Sequence, residues 1–360
     1  MKAAILRDVD APLTIEAVQV DTPGPREVLI RTGACGVCHS DLHFIEGKYA
    51  CPMPTILGHE AAGTVEAVGA LVAYVRPGDR VITCPSVFCG HCAMCLSGRP
   101  NLCASTEAVR GADEPPRLSQ RGEVVHQFAN LSAFAEQMLV HEHALVKVGP
   151  EVAFEHLALI GCGVTTGVGA VLNTARIEPG STVAVIGCGG VGLNCIQGAL
   201  IGGAVRIIAV DRAPNKLAMA CALGATDAVD ASRGDVVEQV RELTGGGVQY
   251  SFEAIGLKES AEQAVNMLAR GGTATIIGML PQGTTFEVDG LFLLGERRVQ
   301  GSSMGSNRFR IDIPRYIDYY RQGRLKLDEL VTQRMPLGQI NRAFDDMKAV
   351  TVARSVITFE

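Results

Sequence analysis

At 360 residues the chain has room for two domains with sizeable cores, and 47% hydrophobic and 19% charged residues exclude a disordered or collagen-like polymer. Its 38 acidic against 32 basic residues give a formal charge of -6 without a run of basic residues, which argues against nucleic acid as a partner. The apolar stretches are broken by glycine or charge before the ~18 residues of a membrane span, and the opening MKAAILRDVD meets acid before an apolar core forms. Neither membrane insertion nor secretion is therefore expected, and the chain reads as cytoplasmic. Twelve cysteines in such a chain suit a reducing compartment, where thiols bind metal or stay free.

From Met1 to about Pro150 short alternating runs such as Val28-Leu29-Ile30 and Thr64-Val65-Glu66-Ala67-Val68 are punctuated by Pro23-Gly24-Pro25 and Pro77-Gly78-Asp79. They predict an antiparallel, turn-rich β domain. Inside it Cys89, Cys92, Cys95 and Cys103 form C-x2-C-x2-C-x7-C in a lobe spanning 89–103, with Gly90, Gly98 and Pro100. Four thiolates on one short loop suit a closed tetrahedral zinc site, and the last spacing departs from the ferredoxin runs of iron–sulfur proteins. A closed site has no open position, so its role is to fold the lobe. A boundary is expected near 150–165.

From about Thr182 apolar runs alternate with helical patterns. Val183 to Ile186, Ile207 to Val210, Ser251 to Ala254 and Thr273 to Ile277 read as strands; Val191 to Leu200, Asn215 to Leu223, Val236 to Leu243 and Ser260 to Leu268 read as crossover helices. That is the βαβ pattern of a parallel sheet. The first strand runs into Gly187-Cys188-Gly189-Gly190-Val191-Gly192, so G-x-G-x-x-G occupies a strand-to-helix turn. Gly187 permits the tight turn, Gly189 lets a pyrophosphate approach the backbone and Gly192 allows close helix–strand packing. Asp211 ends the next strand, close to the ~20-residue spacing of a ribose-binding carboxylate, which favours NAD over NADP. Arg212 beside it keeps a phosphate contact open. After about Gly305 the pattern returns to short mixed elements ending in Ser355-Val356-Ile357-Thr358-Phe359, a tail expected to rejoin the first domain.

Taken singly, Cys38, His59 and Cys162 have plain readings as core residues, and spacing alone does not select them. Their contexts are more telling. The segments GVCHSDLH, LGHEAAGTVEAVG, the four-cysteine lobe, GCGVTTGVGA and GCGGVG follow one another as in the zinc-dependent medium-chain alcohol dehydrogenases. The resemblance covers essentially the whole chain and is closest to the branch of dimeric alcohol dehydrogenases and thiol-dependent formaldehyde dehydrogenases.

The resemblance implies an α/β fold: a Rossmann doubly wound parallel sheet at 164–303, and a mainly β GroES-like catalytic domain built from 1–163 and 304–360. It implies two zinc ions per chain, the catalytic one on Cys38, His59 and Cys162, the structural one on Cys89, Cys92, Cys95 and Cys103. The activity implied is hydride transfer between NAD and a primary or secondary alcohol, or its aldehyde or ketone. Ser40 and His43 then relay the proton, Asp41 orients His59, and Glu60 lies behind the metal. The NAD contacts implied are His39, Thr166, Gly187, Gly189, Gly190, Val191, Gly192, Asp211, Lys216, Ile255 and, on the pyrophosphate, Arg354. The expected assembly is a homodimer or a tetramer.

Two alternatives remain. A formaldehyde dehydrogenase acting on a thiol adduct fits His39, but the glutathione-using enzymes carry an arginine where this chain has Glu107. A zinc-loop binding module explains only the four cysteines and needs one zinc instead of two. Pocket width is expected to depend on Tyr49, Pro85, Phe134 and 291–294, with the small Pro85 favouring a bulky or aromatic alcohol. The remaining cysteines, Cys35, Cys51, Cys84, Cys188, Cys195 and Cys221, are read as space-filling.

Overall fold

The computed structural model describes residues 1–111, 113–349 and 353–359. They form two units: Met1–Cys162 with Arg308–Ile317 and Leu327–Glu360, and Gly163–Asn307 with Asp318–Lys326. The tail thus divides between them, whereas the sequence reading kept 304–360 together. The reason is local to the second unit: the buried Gln197 side chain accepts from the Lys326 N–H (2.7 Å) and donates to the Lys326 carbonyl (3.1 Å), fixing that segment to its helix.

The first unit is built around the strand Glu27–Gly36. It pairs antiparallel with Glu60–Val68 on one side and with Gln137–His141 along its first half. Arg80–Thr83 and Leu145–Val148 extend the sheet, and at the far end the tail strand Arg354–Thr358 brings Val356 opposite Gly36. The last strand therefore lies beside the residues that lead into Cys38. Alternate side chains of these strands, with Ile5, Leu57, Phe134 and Phe344, form the core. Glu27 is buried at the start of the central strand. Burial opposes its charge, yet the Arg110 and Arg117 guanidiniums outweigh that and hold its carboxyl below the usual range. Both arginines lie beyond the four-cysteine lobe, so this ion cluster ties the lobe's exit to the sheet.

The second unit holds six parallel strands in the spatial order Asp227–Asp230, Arg206–Asp211, Thr182–Ile186, Val248–Glu253, Leu268–Ile276 and Arg298–Gly301. Reversal of direction about Thr182–Ile186 is the switch point at which doubly wound sheets bind dinucleotides. Ile207 to Val210 are all buried, as expected for a strand covered on both faces. The crossover helices are Gly190–Ile201, Pro214–Ala222, Val236–Thr244 and Lys258–Asn266. The fourth begins and ends two residues earlier than expected, because Leu268 already pairs with Val248 and begins the next strand, which bulges before Tyr250 and Thr273 meet.

Among the described residues one helical run, Phe154–Ala175, is long and apolar enough to cross a membrane by length and composition alone; 83% of its most apolar window is buried within the protein, as in a core helix.

Candidate functional site

Three local features bring Cys38, His59 and Cys162 together. Cys38 lies two residues beyond the central strand, at the N-cap position of the helix His39–Ile45. His59 precedes the strand Glu60–Val68 and follows Gly58, whose φ of +90° and whose contact with the Phe134 backbone exclude a side chain. Cys162 lies in a widened π turn, Ile160–Val164, of the kind that interrupts helices at functional sites. There Gly161 approaches the strand Arg80–Thr83 so closely that a Cβ would stand 2.3 Å from the Thr83 carbonyl.

The ligand atoms of Cys38, His59, Cys162 and Glu60 all lie within 4.8 Å of one another, and all four residues are buried. Asp41 Oδ1 accepts from the Gly58 N–H and sits 3.0 Å from His59 Nδ1. This bond turns the other ring nitrogen toward the sulfurs and fixes the tautomer that a metal-binding imidazole needs. The Cys162 thiol and the Cys38 sulfur share a hydrogen bond, which pushes Cys38 well below and Cys162 well above the ordinary thiol range. Both sulfurs can be anionic together only beside a cation. Burial works against protonating His59, but the Asp41 and Cys38 charges outweigh it and hold the imidazole well above its ordinary value. Glu60 is fully buried, and burial raises it to about 7 against the pull of Arg354. The two side chains form a buried ion pair, so the Glu60 carboxylate faces Arg354 and three donors are left for a metal: two sulfurs and an imidazole. That set, with a fourth position open, fits zinc in a catalytic role.

The four cysteines of the lobe converge as the sequence predicts. Cys89 and Cys95 sulfurs are 3.9 Å apart and those of Cys92 and Cys103 are 3.8 Å apart. A tetrahedron with Zn–S bonds of about 2.3 Å has edges of about 3.8 Å, so the spacing already matches the ion. Backbone N–H groups of Cys89 and Cys92 donate to Cys103 and Cys89 sulfurs at 3.3 Å, favouring thiolates. The backbone N–H groups of His91 and then Cys92 hold Cys89 down at about 6, while burial pushes Cys95 up to about 12. Beside the lobe His91 Nε2 lies 2.9 Å from Glu107, which is thus taken up by an imidazole.

In the second unit the three glycines have separate roles. Gly187 stands at φ +92°. A Cβ on Gly192 would come within 1.7 Å of the Gly187 carbonyl, so helix and turn are in contact there; a Cβ on Gly189 would meet nothing within 4 Å. Open space over Gly189 at the N-terminus of Gly190–Ile201 suits a pyrophosphate. Asp211 closes the turn: Oδ2 accepts from the Cys188 N–H (2.8 Å) and Oδ1 from the Ala213 N–H (3.0 Å). Val191 and Lys216 are half-buried along the helices that follow. Thr166 is buried, with Oγ1 3.5 Å from Met304 Sδ, and Ile255 is exposed in the loop after Val248–Glu253.

Residues 190–319 match the zinc-binding dehydrogenase family and residues 24–150 the alcohol dehydrogenase GroES-like domain. A probable S-(hydroxymethyl)glutathione dehydrogenase of Schizosaccharomyces pombe is 38% identical over 99% of this chain and 96% of its own. The chain belongs to the zinc-dependent medium-chain alcohol dehydrogenase family. Among solved structures, an alcohol dehydrogenase zinc-binding domain protein from Burkholderia ambifaria superimposes with a TM-score of 0.95 at 38% identity, covering 100% of this chain and 98% of that one. The benzyl alcohol dehydrogenase of Acinetobacter calcoaceticus gives 0.94 at 32%, covering 100% and 99%. A Rossmann sheet, a GroES-like catalytic domain and an oxidoreductase acting on a small molecule follow from membership.

Within this dehydrogenase several side chains have contacts that the sequence does not announce. Arg354, expected on the pyrophosphate, lies buried in the first unit with its guanidinium on Glu60, because the tail strand delivers it beside Gly36. Phe134, expected to line the pocket, is wholly buried, its ring 6.0 Å from that of Phe344. Phe128, which the sequence reading did not single out, has its edge toward His59 at 5.9 Å between centroids, and continues through Phe44 (4.7 Å) to Tyr49 (5.7 Å from Phe44). Glu253 was also passed over; a lone glutamate at a strand end carries no signal of its own.

Proposed function

We propose that this dehydrogenase is NAD-linked, holds two zinc ions per chain and interconverts an alcohol and its aldehyde or ketone. The observation that carries the reading is the three-donor cluster of Cys38, His59 and Cys162 beside the helix His39–Ile45. Zinc, when bound there, supplies Lewis acidity toward a hydroxyl or carbonyl oxygen at its open position. NAD, when bound at the glycine turn, supplies the hydride acceptor.

The chain's own residues manage the proton. Ser40 Oγ is 3.7 Å from Cys38 Sγ, next to the open position, and His43 stands one helical turn further on. His43 Nδ1 is buried without a partner among the described residues and is therefore available as an acceptor. Burial and then Lys48 lower the imidazole from its ordinary value, so it stays neutral somewhat below pH 6.5. Asp41 fixes His59, and Arg354 neutralises Glu60 behind it. In this reading the first unit carries the catalytic role and the second the cofactor role. Asp211 supports NAD, since a fixed carboxylate accepts from ribose hydroxyls and repels a 2′-phosphate.

The rings of Phe128, Phe44 and Tyr49 next to His59 favour an aromatic or similarly bulky primary alcohol, in keeping with the name of the Acinetobacter relative. A thiol-adduct aldehyde is the second reading, favoured by the name of the Schizosaccharomyces relative. Against a glutathione adduct, Glu107 and His91 offer no free cation where a peptide carboxylate would need one. We further infer a homodimer joined at the strand Arg298–Gly301. Among the described residues it pairs on one side only, and Leu291 and Leu294 nearby are 74% and 79% exposed. A molar mass of one chain by light scattering contradicts this; a tetramer retains the edge and adds a second interface.

Replacing Cys162 with Ser lowers the metal content from two zinc per chain to about one, with the fold retained, because the two sites share no ligand. Loss of both metals together contradicts the assignment.

Asp211→Gly relaxes the preference for NAD over NADP, read as the ratio of kcat/KM for the two cofactors. An unchanged ratio means that Asp211 does not face the ribose.

His43→Gln slows alcohol oxidation roughly tenfold to a hundredfold, toward the low end of general-base effects. The sign follows from the lowered value: above it the wild-type imidazole is neutral and accepts, and below it the advantage vanishes. The loss is therefore largest from somewhat below pH 6.5 up to neutrality, and added imidazole restores part of the rate. Wild-type rates across this window contradict the relay.

A further inference from the structure

Glu253 is the last residue of Val248–Glu253, at the carboxyl end of the parallel sheet and next to the strand that carries the glycine turn. It is wholly buried. One oxygen, Oε1, accepts from three donors: the Ile255 N–H at 2.8 Å, the Gly256 N–H at 2.7 Å and the Ser260 hydroxyl at 2.8 Å. The carboxylate thus draws the loop 254–257 back over the end of its own strand and ties it to the helix Lys258–Asn266. The other oxygen, Oε2, is buried with no hydrogen-bond partner among the described residues. Two glycines make this closure possible. A Cβ on Gly278 would stand 2.1 Å from the Gly256 nitrogen and 2.6 Å from Glu253 Oε2, and Gly256, at φ +92°, packs directly on the Met279 backbone.

The loop that Glu253 holds reaches the glycine turn. Ile255 Cγ1 lies 2.4 Å from the point a Cβ on Gly187 would occupy, so this side chain rests against the first glycine of the motif. Burying a carboxylate is costly unless its acceptors are used, and here the use is to shape a loop at the edge where doubly wound sheets hold their ligands. We propose that Glu253 is a positioning residue for the dinucleotide, its carboxylate fixing the 254–257 loop so that Ile255 borders the cofactor beside Gly187. This rests on the reading of 187–192 as a dinucleotide turn.

The test measures NADH binding to the intact enzyme by fluorescence titration, alongside kcat, KM and the thermal midpoint, for Glu253→Ala, Glu253→Gln, Ile255→Ala, the Glu253→Ala/Ile255→Ala double variant and Ser260→Ala. Glu253→Ala removes the acceptor of three donors and raises the NADH dissociation constant roughly tenfold to a hundredfold. KM for NAD rises with it, while kcat changes less than about threefold. Glu253→Gln keeps an acceptor oxygen and stays within about threefold of the wild type. Ile255→Ala weakens NADH binding several-fold, and the double variant is no weaker than Glu253→Ala, because the loop and its side chain act through one contact. Should Glu253→Ala fail to fold, Ser260→Ala removes one donor and raises the NADH dissociation constant about two- to fivefold.

A lower thermal midpoint with unchanged NADH affinity in Glu253→Ala overturns the proposal, as does a Glu253→Gln variant as weak as Glu253→Ala, or unchanged affinity in Ser260→Ala. Gly189→Val separates this from failure of the underlying reading. A Cβ at Gly189 meets no protein atom within 4 Å, and the valine side chain adds bulk in the space over the turn, so it abolishes NADH binding if the turn holds the dinucleotide. If Gly189→Val binds NADH normally, the turn reading itself falls; if it does not bind and Glu253→Ala binds as the wild type does, only the role of Glu253 falls.

Discussion

Two sulfurs and an imidazole converge inside the first unit, where an unbalanced buried thiolate costs several kcal/mol in lost solvation. The cluster is therefore at ease only around a cation, and the surrounding structure serves that balance. Asp41 takes the outer nitrogen of His59, Arg354 takes Glu60, and Gly36 leaves room for both, since a Cβ there would meet Glu60 Oε2 at 2.2 Å and Arg354 at 3.1 Å. Charges alternate outward from the metal position: sulfur, imidazole and then Asp41 on one side, Glu60 and Arg354 on the other. The four-cysteine lobe solves the same problem without an open position. Its sulfurs are closed on each other at tetrahedral spacing, and the Glu27 ion cluster anchors the chain that leaves it.

The second unit depends on backbone proximity more than on charge. Gly192 brings helix and turn into contact, Gly189 keeps the space above the turn clear, and Gly256 and Gly278 let two successive loops close over the buried Glu253. Side chains enter only at the margins, where Asp211 and Ile255 border the turn from opposite neighbouring strands. In the proposed reading, a binding surface made from backbone recognises what dinucleotides share, and the residues at its margins set which one is preferred.

How much of this was legible in the sequence follows from the range of each interaction. The four-cysteine lobe and the glycine turn are local motifs whose spacing carries their geometry, so both were readable from residues alone. The parallel sheet was readable because strands buried on both faces leave unbroken apolar runs. Cys38, His59 and Cys162 lie far apart in sequence and meet only through tertiary structure, so they were found by resemblance and not by spacing. The pairing of Arg354 with Glu60 was hidden for a related reason: it is set by the pairing of the tail strand with Gly36, which no local pattern announces. Phe134 and Phe128 look alike in sequence, yet a turn with left-handed residues at Ala129, Asn130 and Ser132 sends one ring into the core and leaves the other beside His59. Glu253 was invisible because its role lies in bonds to the backbone that follows it.

In the proposed function, the first unit binds zinc in two chemically different cages. X-ray absorption at the zinc edge, combined with metal quantification on the wild-type protein, measures this directly. The expected result is two zinc ions per chain and an average shell of about three sulfurs and one nitrogen or oxygen per zinc, from one four-sulfur site and one site of two sulfurs, an imidazole and an oxygen at the open position. One zinc per chain in a shell of four sulfurs would contradict it, leaving Cys38, His59 and Cys162 as core residues.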